Sequence, residues 1–221
     1  MKQAPLIVGA GPTGLAAAMF LAEAGVPCRI IDKAHSPSAN SRAQVINPRS
    51  LELLQHTGVT DAILREAHPI HRVVFYEEWR HLAELEFDRA HPDFPMAVLP
   101  QARTEALLSD ALAACGVSPE RGTALGSFEQ DDSGVDAILL STNRSENFRT
   151  PIMLAADGAH SKAGTYLVSR WKGLTSRRTG RSTISNLTIR SMPTVPTSVL
   201  WRVDWCSCCA SDQASGGCSA I

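Results

Sequence analysis

A glycine-rich turn near the start of this 221-residue sequence constrains its fold more than any other feature. The turn reads Gly9-Ala10-Gly11-Pro12-Thr13-Gly14. A short apolar run, 5–8, leads into it. An alanine-rich segment and a second apolar run, 28–31, follow before Asp32. This order predicts strand, glycine turn, helix and strand, which is a βαβ unit carrying the dinucleotide-binding pattern G-x-G-x-x-G.

A separate physical requirement explains the residue type at most positions of the turn. Gly9 permits a sharp exit from the strand, Gly11 lets the backbone approach a pyrophosphate, and Gly14 lets the helix pack closely on the sheet. Pro12 suits the first helical turn, where its missing N–H costs nothing, and Thr13 can offer a hydroxyl to the same phosphate. Free N–H groups and the helix dipole favour an anion here. The turn therefore predicts a pyrophosphate site.

An acidic residue lies where the pattern requires one. Asp32 follows Gly14 by eighteen residues, at the end of the second predicted strand. A carboxylate there accepts both hydroxyls of an adenosine ribose and repels a 2′-phosphate. Lys33, the next residue, belongs to the same predicted cofactor-binding set. An ordinary glycine turn is the alternative, but the strand–turn–helix context and the distance to Asp32 favour the dinucleotide site.

Composition indicates an ordinary globular protein. The net charge is −1 and 44% of the residues are hydrophobic. No apolar run approaches the length of a membrane span, and no basic-then-apolar leader precedes the first strand. We therefore expect a cytoplasmic protein with no membrane partner.

The rest of the chain predicts further α/β structure with an antiparallel hairpin. The predicted elements are a helical stretch from Pro48 with a break at Gly58, antiparallel strands at 71–77 and 82–87, a short strand at 96–100, a helix at 103–115 introduced by Gln101, a hairpin around 131–134, and a strand at 151–156 that leads into Asp157-Gly158. Together they predict a doubly wound α/β fold with an antiparallel hairpin insertion.

Four segments resemble the FAD-dependent aromatic hydroxylases, the flavoprotein monooxygenases of the para-hydroxybenzoate and phenol hydroxylase type. They are the glycine turn with Asp32, SRAQVINPRSLELL at 41–54, LPQARTEALL at 99–108, and LAADGAHS at 154–161. The resemblance implies an incomplete Rossmann-like FAD/NAD(P)-binding fold. It also implies FAD as cofactor, NAD(P)H as co-substrate, and hydroxylation of a small phenolic or aromatic substrate with dioxygen.

The same resemblance implies roles for individual residues. Arg42 would contact the pyrophosphate and the flavin, and Gln101 would bond the ribityl–pyrophosphate region. Asp157 and Gly158 match the second dinucleotide signature of the family, where the carboxylate would hold ribose hydroxyls or a water. His160 stands where the family usually has a basic residue. No catalytic side chain and no metal ligand is predicted.

The resemblance ends at about residue 163, which predicts a partial FAD-binding domain at 1–163 and an unrelated tail at 164–221. The tail is rich in serine, tryptophan and cysteine and contains no glutamate. Such a composition is typical of GC-rich coding DNA read out of frame, and the Gly-Asp-Ala-Ala-His-type segment of the family's second half is missing. We therefore hypothesise that the tail is disordered or frameshifted.

Two other interpretations of the tail are weaker. Its cysteines, Cys206, Cys208, Cys209 and Cys218, do not have the paired spacing of a zinc ribbon. The basic Ser/Arg stretch at 170–190 carries no nucleic-acid recognition motif, so no nucleic-acid partner is predicted.

An FAD-dependent aromatic monooxygenase is thus the leading functional hypothesis. The alternatives are a truncated, catalytically incompetent FAD- or ADP-binding fragment and another FAD-dependent oxidoreductase. The sequence leaves open the aromatic substrate, the choice between NADH and NADPH, and the oligomeric state.

Overall fold

The computed structural model describes two compact units of the chain. It describes residues 4–37, 45–77, 80–142, 144–158 and 161–166, together with the backbone of strands at 181–183, 188–190 and 199–204. The first unit comprises residues 1–67 and 97–175, and the second comprises residues 68–96 and 176–221.

Strands and helices are mixed in the first half of the chain, with four strands in succession after the third α-helix. Up to residue 98 they are β1 (Leu6–Val8), α1 (Pro12–Glu23), β2 (Arg29–Asp32), β3 (Val45–Ile46), α2 (Pro48–Leu54), a 3-10 turn (Gln55–Thr57), α3 (Val59–Glu66), β4 (His68–Ile70), β5 (Arg72–Glu77), β6 (Arg80–Glu86) and β7 (Met96–Val98). The later elements are α4 (Gln101–Ala114), β8 (Glu120–Arg121), β9 (Ala124–Asp131), β10 (Gly134–Ser141), β11 (Arg144–Thr150), β12 (Met153–Ala155), α5 (Lys162–Tyr166), β13 (Arg181–Thr183), β14 (Thr188–Arg190) and β15 (Val199–Asp204).

A four-stranded parallel sheet forms the centre of the first unit. Its order is β12-β1-β2-β8, and every neighbouring pair is parallel. The three residues of β1 are buried, as expected of a short apolar strand in the middle of a parallel sheet. Helix α1 packs against α4. This architecture confirms the predicted Rossmann-like α/β fold.

A three-stranded antiparallel sheet, β11-β10-β9, contains the predicted hairpin. Buried side chains of β9 and β10 (Leu125, Ala137 and Leu139) join those of β1 and β2 (Leu6, Val8 and Ile31) in one hydrophobic cluster. The sequence did not predict the third strand, β11. Its residues, RSENFRT, are mostly polar and show little of the apolar alternation that marks a half-buried strand.

The helical stretch after residue 47 begins and breaks as predicted. The Asn47 side chain caps α2 by accepting a hydrogen bond from the Ser50 N–H at 2.8 Å. Gly58 adopts a left-handed conformation, with φ of +74°, and separates the 3-10 turn from α3. Glycine takes this conformation without the steric cost that other residues incur.

The second unit contains an antiparallel sheet of order β13-β14-β15-β5-β6. Strands β5 and β6 pair as the sequence predicts. Strands β13 to β15 belong to the segment that the sequence assigns to an unrelated tail, and the origin of that segment stays a prediction. The four tail cysteines lie outside the described residues. Within the described part of the chain, no helix has both the length and the apolar character needed to cross a bilayer.

Candidate dinucleotide-binding site

A cavity of about 660 Å³ lies in the first unit, where β1, β2 and β12 end. Ligands of open parallel sheets bind beyond the carboxyl ends of the strands, which is where this cavity is found. The structure gathers nine residues of the predicted cofactor-binding set along its wall: Gly9, Gly11, Pro12, Thr13, Asp32, Lys33, Gln101, Asp157 and Gly158. Gly14 is buried in α1. Arg42 lies outside the described residues.

The three glycines of the turn have different surroundings. Gly9 has a φ of +104°, and a Cβ there would lie 2.3 Å from the Ala156 carbonyl oxygen. A Cβ on Gly14 would lie 1.8 Å from the Gly9 carbonyl oxygen. A Cβ on Gly11 would meet nothing within 4 Å. Gly9 and Gly14 are therefore required by the fold, whereas Gly11 leaves open space at the cavity, which suits a pyrophosphate.

The amino terminus of α1 is suited to an anion. Pro12 occupies the first turn, and no acidic side chain lies there. Among the described side chains, none caps the helix. The N–H groups of this first turn and the helix dipole are thus available to a phosphate. Thr13 is exposed at the same end of the helix, in position to offer its hydroxyl.

The Asp32 carboxylate is held by backbone N–H groups on both sides. Its Oδ2 accepts a hydrogen bond from the Ala10 N–H at 2.6 Å, and its Oδ1 accepts one from the Ala34 N–H at 2.8 Å. The guanidinium of Arg121 lies 3.6 Å from Oδ2. A carboxylate has about four acceptor positions. These contacts therefore leave Asp32 able to accept the ribose hydroxyls that the sequence assigns to it.

Gln101 lies at the junction of β7 and α4, as predicted. It is the first residue of α4, and its Nε2 donates a hydrogen bond to Glu105 Oε1 at 2.7 Å. The Glu105 side chain is buried one turn further along the helix. This contact fixes the orientation of the Gln101 amide at the cavity wall.

Asp157 organises the start of α5. Its carboxylate accepts hydrogen bonds from the Ser161 hydroxyl at 2.6 Å, the Lys162 N–H at 2.7 Å and the Ala163 N–H at 3.1 Å. Burial acts to raise the pKa of Asp157, but the hydrogen bond from Ser161 and those from the backbone outweigh it, so the pKa lies below its ordinary value. Its predicted contact with ribose hydroxyls stays a prediction.

Several cavity residues were missed by sequence reasoning. Thr123 and Leu125 line the wall that follows β8, and Ser161 and Lys162 line the opposite side near α5. Arg121 lies behind Asp32 on β8. The sequence signal that could have located this wall is Gly122. It lies shortly after the end of α4, and a glycine in such a place indicates a sharp turn, here back to the sheet.

A parallel sheet, a glycine turn and an aspartate at the end of the second strand together define a dinucleotide-binding α/β domain. The open Gly11 backbone, the uncapped start of α1 and the Asp32 carboxylate fit the pyrophosphate and adenosine ribose of FAD. The chain belongs to the FAD binding domain family, whose model matches residues 2–216.

Named relatives are monooxygenases. The chain is 35% identical over 161 residues to 6-methylpretetramide 4-monooxygenase of Streptomyces rimosus, a match covering 71% of this chain and 28% of that protein. It is 32% identical over 174 residues to pentachlorophenol 4-monooxygenase of Sphingobium chlorophenolicum, covering 77% of this chain and 32% of that protein. The matches therefore span about a third of the length of these curated relatives.

Solved structures share the fold. The flavin-dependent monooxygenase PieE, determined in complex with FAD and substrate, superposes with a TM-score of 0.68 at 21% identity. That superposition covers 97% of this chain and 44% of PieE.

Proposed function

We propose that this chain is the FAD-binding part of a monooxygenase that hydroxylates a phenolic or related aromatic compound with NAD(P)H and dioxygen. The observation that carries the proposal is the single cavity that brings together the glycine turn, Asp32, Gln101 and the Asp157-Gly158 turn. The family membership supports FAD as the cofactor, and the names of the relatives support an aromatic substrate.

The residues of the chain would bind and orient the cofactor. Gly11 and the first N–H groups of α1 would hold the pyrophosphate, and the Asp32 carboxylate would accept the adenosine ribose hydroxyls. Gln101, with its amide fixed by Glu105, would bond the chain between the pyrophosphate and the flavin. Lys33 lies on the same wall and would offset the phosphate charge.

FAD, when bound, supplies the redox chemistry between the nicotinamide and dioxygen. For the protein we propose binding, orientation and exclusion of water, with no side chain acting as nucleophile or general base. In this proposal Asp32 binds the ribose of FAD and not that of the nicotinamide cofactor. It therefore carries no information on the choice between NADH and NADPH.

A second candidate function is binding of FAD or ADP without catalysis. The observation that favours it is that Gly11 and Asp32, which line the cavity, would contact the adenosine diphosphate half of the cofactor, which FAD and ADP share. That half carries no redox group, so its binding alone brings no catalysis.

The first experiment is the visible absorption spectrum of the purified chain after incubation with FAD and desalting. We expect a retained flavin band whose peaks are shifted from those of free FAD. Asp32→Asn should retain less flavin, and Asp110→Asn, on the exposed face of α4, serves as the control. Failure of the wild-type chain to retain flavin would overturn the monooxygenase for this chain, and failure to bind ADP as well would overturn the second candidate.

Turnover assays then separate the candidates. The flavin-loaded chain is given NADH or NADPH with simple phenols, and products are identified by chromatography and mass spectrometry. A hydroxylated product supports the monooxygenase. Retained flavin with no consumption of reductant supports the binding fragment. Reduction of an artificial electron acceptor without hydroxylated product supports another FAD-dependent oxidoreductase.

A further inference from the structure

Strands β2 and β8 place two opposite charges side by side, one in the lining of the cavity and one outside it. Asp32 and Arg121 are direct partners in the register of this parallel pair. Arg121 Nη1 lies 3.6 Å from Asp32 Oδ2, and the two side chains are only 20% and 16% exposed, respectively. Partial burial of this kind strengthens a charge pair relative to one on the open surface.

The backbone around Arg121 fixes its position relative to Asp32. The Gly122 N–H donates to the Ala34 carbonyl at 3.1 Å, and the Thr123 N–H donates to the Asp32 carbonyl at 2.9 Å. Gly122 has a φ of +70°, and a Cβ there would lie 2.7 Å from His35 Nδ1. A φ of this sign favours glycine, so the turn that brings the chain back beside the residues after Asp32 suits a glycine at position 122.

The two charged residues differ in their access to the cavity. Asp32 lines it, whereas Arg121 is absent from its lining. Arg121 would thus act on a bound nucleotide through the carboxylate of Asp32. A guanidinium stays charged at any pH at which the protein folds, so its charge must be balanced by Asp32 or by another anion.

We propose that Arg121 is a positioning residue for Asp32, and that the pair makes the site select an adenosine 2′-hydroxyl over a 2′-phosphate. The proposal rests on the proposed binding of the FAD adenosine at this cavity. With Asp32 present, the carboxylate accepts the hydroxyl, repels a phosphate and neutralises Arg121. Without that carboxylate, the guanidinium attracts a 2′-phosphate, as arginines do in sites for 2′-phosphorylated nucleotides.

The test is a double-mutant cycle with two nucleotides. Dissociation constants for ADP and for adenosine 2′,5′-bisphosphate are measured by isothermal titration calorimetry on the full chain. The proteins are the wild type, Asp32→Asn, Arg121→Met and the double variant. We expect the wild type to prefer ADP and Arg121→Met to bind ADP about tenfold more weakly, within the range of coupled charge pairs. Arg121→Lys should restore part of the loss.

The decisive readout is the ratio of the two affinities. Asp32→Asn should shift it toward the bisphosphate by about tenfold or more, and adding Arg121→Met should remove most of that shift. If Arg121 had a merely structural role, its replacement would weaken the binding of both nucleotides equally and leave the ratio of the two affinities unchanged. The exposed residues Arg65 and Asp110, changed to Met and Asn, are matched controls, and thermal unfolding checks every variant.

The outcomes separate this inference from the proposed function. If the wild type binds ADP and the shift caused by Asp32→Asn is the same with and without Arg121, the inference is overturned while cofactor binding stands. If the wild type binds neither nucleotide, both are overturned. If Arg121→Met does not fold, Arg121→Gln takes its place in the same cycle.

Discussion

Among the glycines that the structure describes, Gly14 has the least room for a Cβ. Its Cβ would lie 1.8 Å from a backbone oxygen that cannot move without disturbing the turn. We expect Gly14→Ala to destabilise the fold by roughly 1–3 kcal/mol, because overpacking outweighs the gain of about 1 kcal/mol that alanine gives a helix interior. Urea unfolding followed by circular dichroism measures this, and an unchanged midpoint would contradict the packing described here.

Gly11 provides the matched comparison within the same turn. It is extended, with φ of −78°, and a Cβ would meet nothing within 4 Å. Gly11→Ala should therefore unfold at the same urea concentration as the wild type. If a pyrophosphate passes this backbone, the added methyl group should weaken FAD binding by about tenfold, equivalent to about 1.4 kcal/mol. Equal flavin affinity in the two proteins would remove Gly11 from the site.

The hydrogen bonds of Asp157 predict that its contribution to the stability of the fold depends on pH. Its pKa is lowered in the folded state, because the hydrogen bonds at the start of α5 outweigh the effect of burial. Its contribution to stability is therefore present above its unfolded-state pKa and is lost as the pH falls through the lower, folded-state pKa. Asp157→Ala should cost about 1 kcal/mol near neutral pH, as loss of a helix cap does.

The pH dependence is measured as the difference in unfolding free energy between the wild type and Asp157→Ala. We expect this difference to shrink as the solution becomes strongly acidic. Asp132→Ala, at an exposed turn, is the control for the removal of a surface carboxylate. A difference independent of pH would mean that the carboxylate charge plays no part in holding α5.

Among the elements, β2, β8 and β11 are joined by one arginine. Arg29 on β2 donates two hydrogen bonds to Glu120 on β8, at 2.7 and 2.8 Å, and two to Glu146 on β11, at 2.7 and 2.9 Å. Its guanidinium also lies 4.7 Å from the centre of the Phe148 ring. The hydrogen bond from Arg29 lowers the pKa of Glu146 below its ordinary value. Arg29 thus ties the parallel sheet to the antiparallel one.

Replacement of Arg29 by lysine tests this connection. Lysine keeps the charge but cannot form the two-pronged bonds to both carboxylates. We expect Arg29→Lys to lower stability by about 1–2 kcal/mol, a modest value because both glutamates are partly exposed and screened. The loss should be smaller in high salt. Arg144→Lys on β11 is the control, and equal stability of the two variants would show that Arg29 does not join the sheets.

The elements also show how far the sequence predicts this fold. The β1–α1–β2 unit and the break at Gly58 are predicted by local patterns. Hydrophobic periodicity and the conformational freedom of glycine determine structure over only a few neighbouring residues. Strand β8 is only two residues long and has no periodicity to detect. The partners of Arg29 lie 91 and 117 residues away along the chain, a separation that no local pattern encodes.

The residues of the candidate site also fall into two groups, those that a local sequence pattern predicts and those that depend on distant parts of the chain. Gly11 and Asp32 were predicted because the chemistry of a bound dinucleotide requires them at a fixed spacing. Arg121 lies beside Asp32 only because β8 pairs with β2, and Lys162 lines the cavity only because of the placement of α5. The sequence therefore predicts the residues that a bound dinucleotide would require, and it gives no signal for the neighbours that the fold places beside them.

At the scale of the whole molecule, the origin of the segment after residue 163 decides how far the FAD-binding domain extends along the chain. The family model extends to residue 216, whereas the matches to the two named monooxygenases cover about three quarters of the chain. The segment lacks glutamate and holds four of the six cysteines. This composition is the ground for the hypothesis that the coding sequence of the segment is read out of frame, whereas the extension of the family model to residue 216 does not favour it.

Resequencing the gene tests that hypothesis without depending on how the segment folds. We expect the +1 or −1 frame downstream of about codon 163 to be open and to encode a Gly-Asp segment like that of the aromatic hydroxylases. A chain restored in that frame should retain FAD more tightly than the present one, because the added residues would contribute further contacts to the cofactor that we propose for the first unit. If neither alternative frame is open, the segment is the natural continuation of the chain. The pairing of β15 with β5 would then be part of the native second unit.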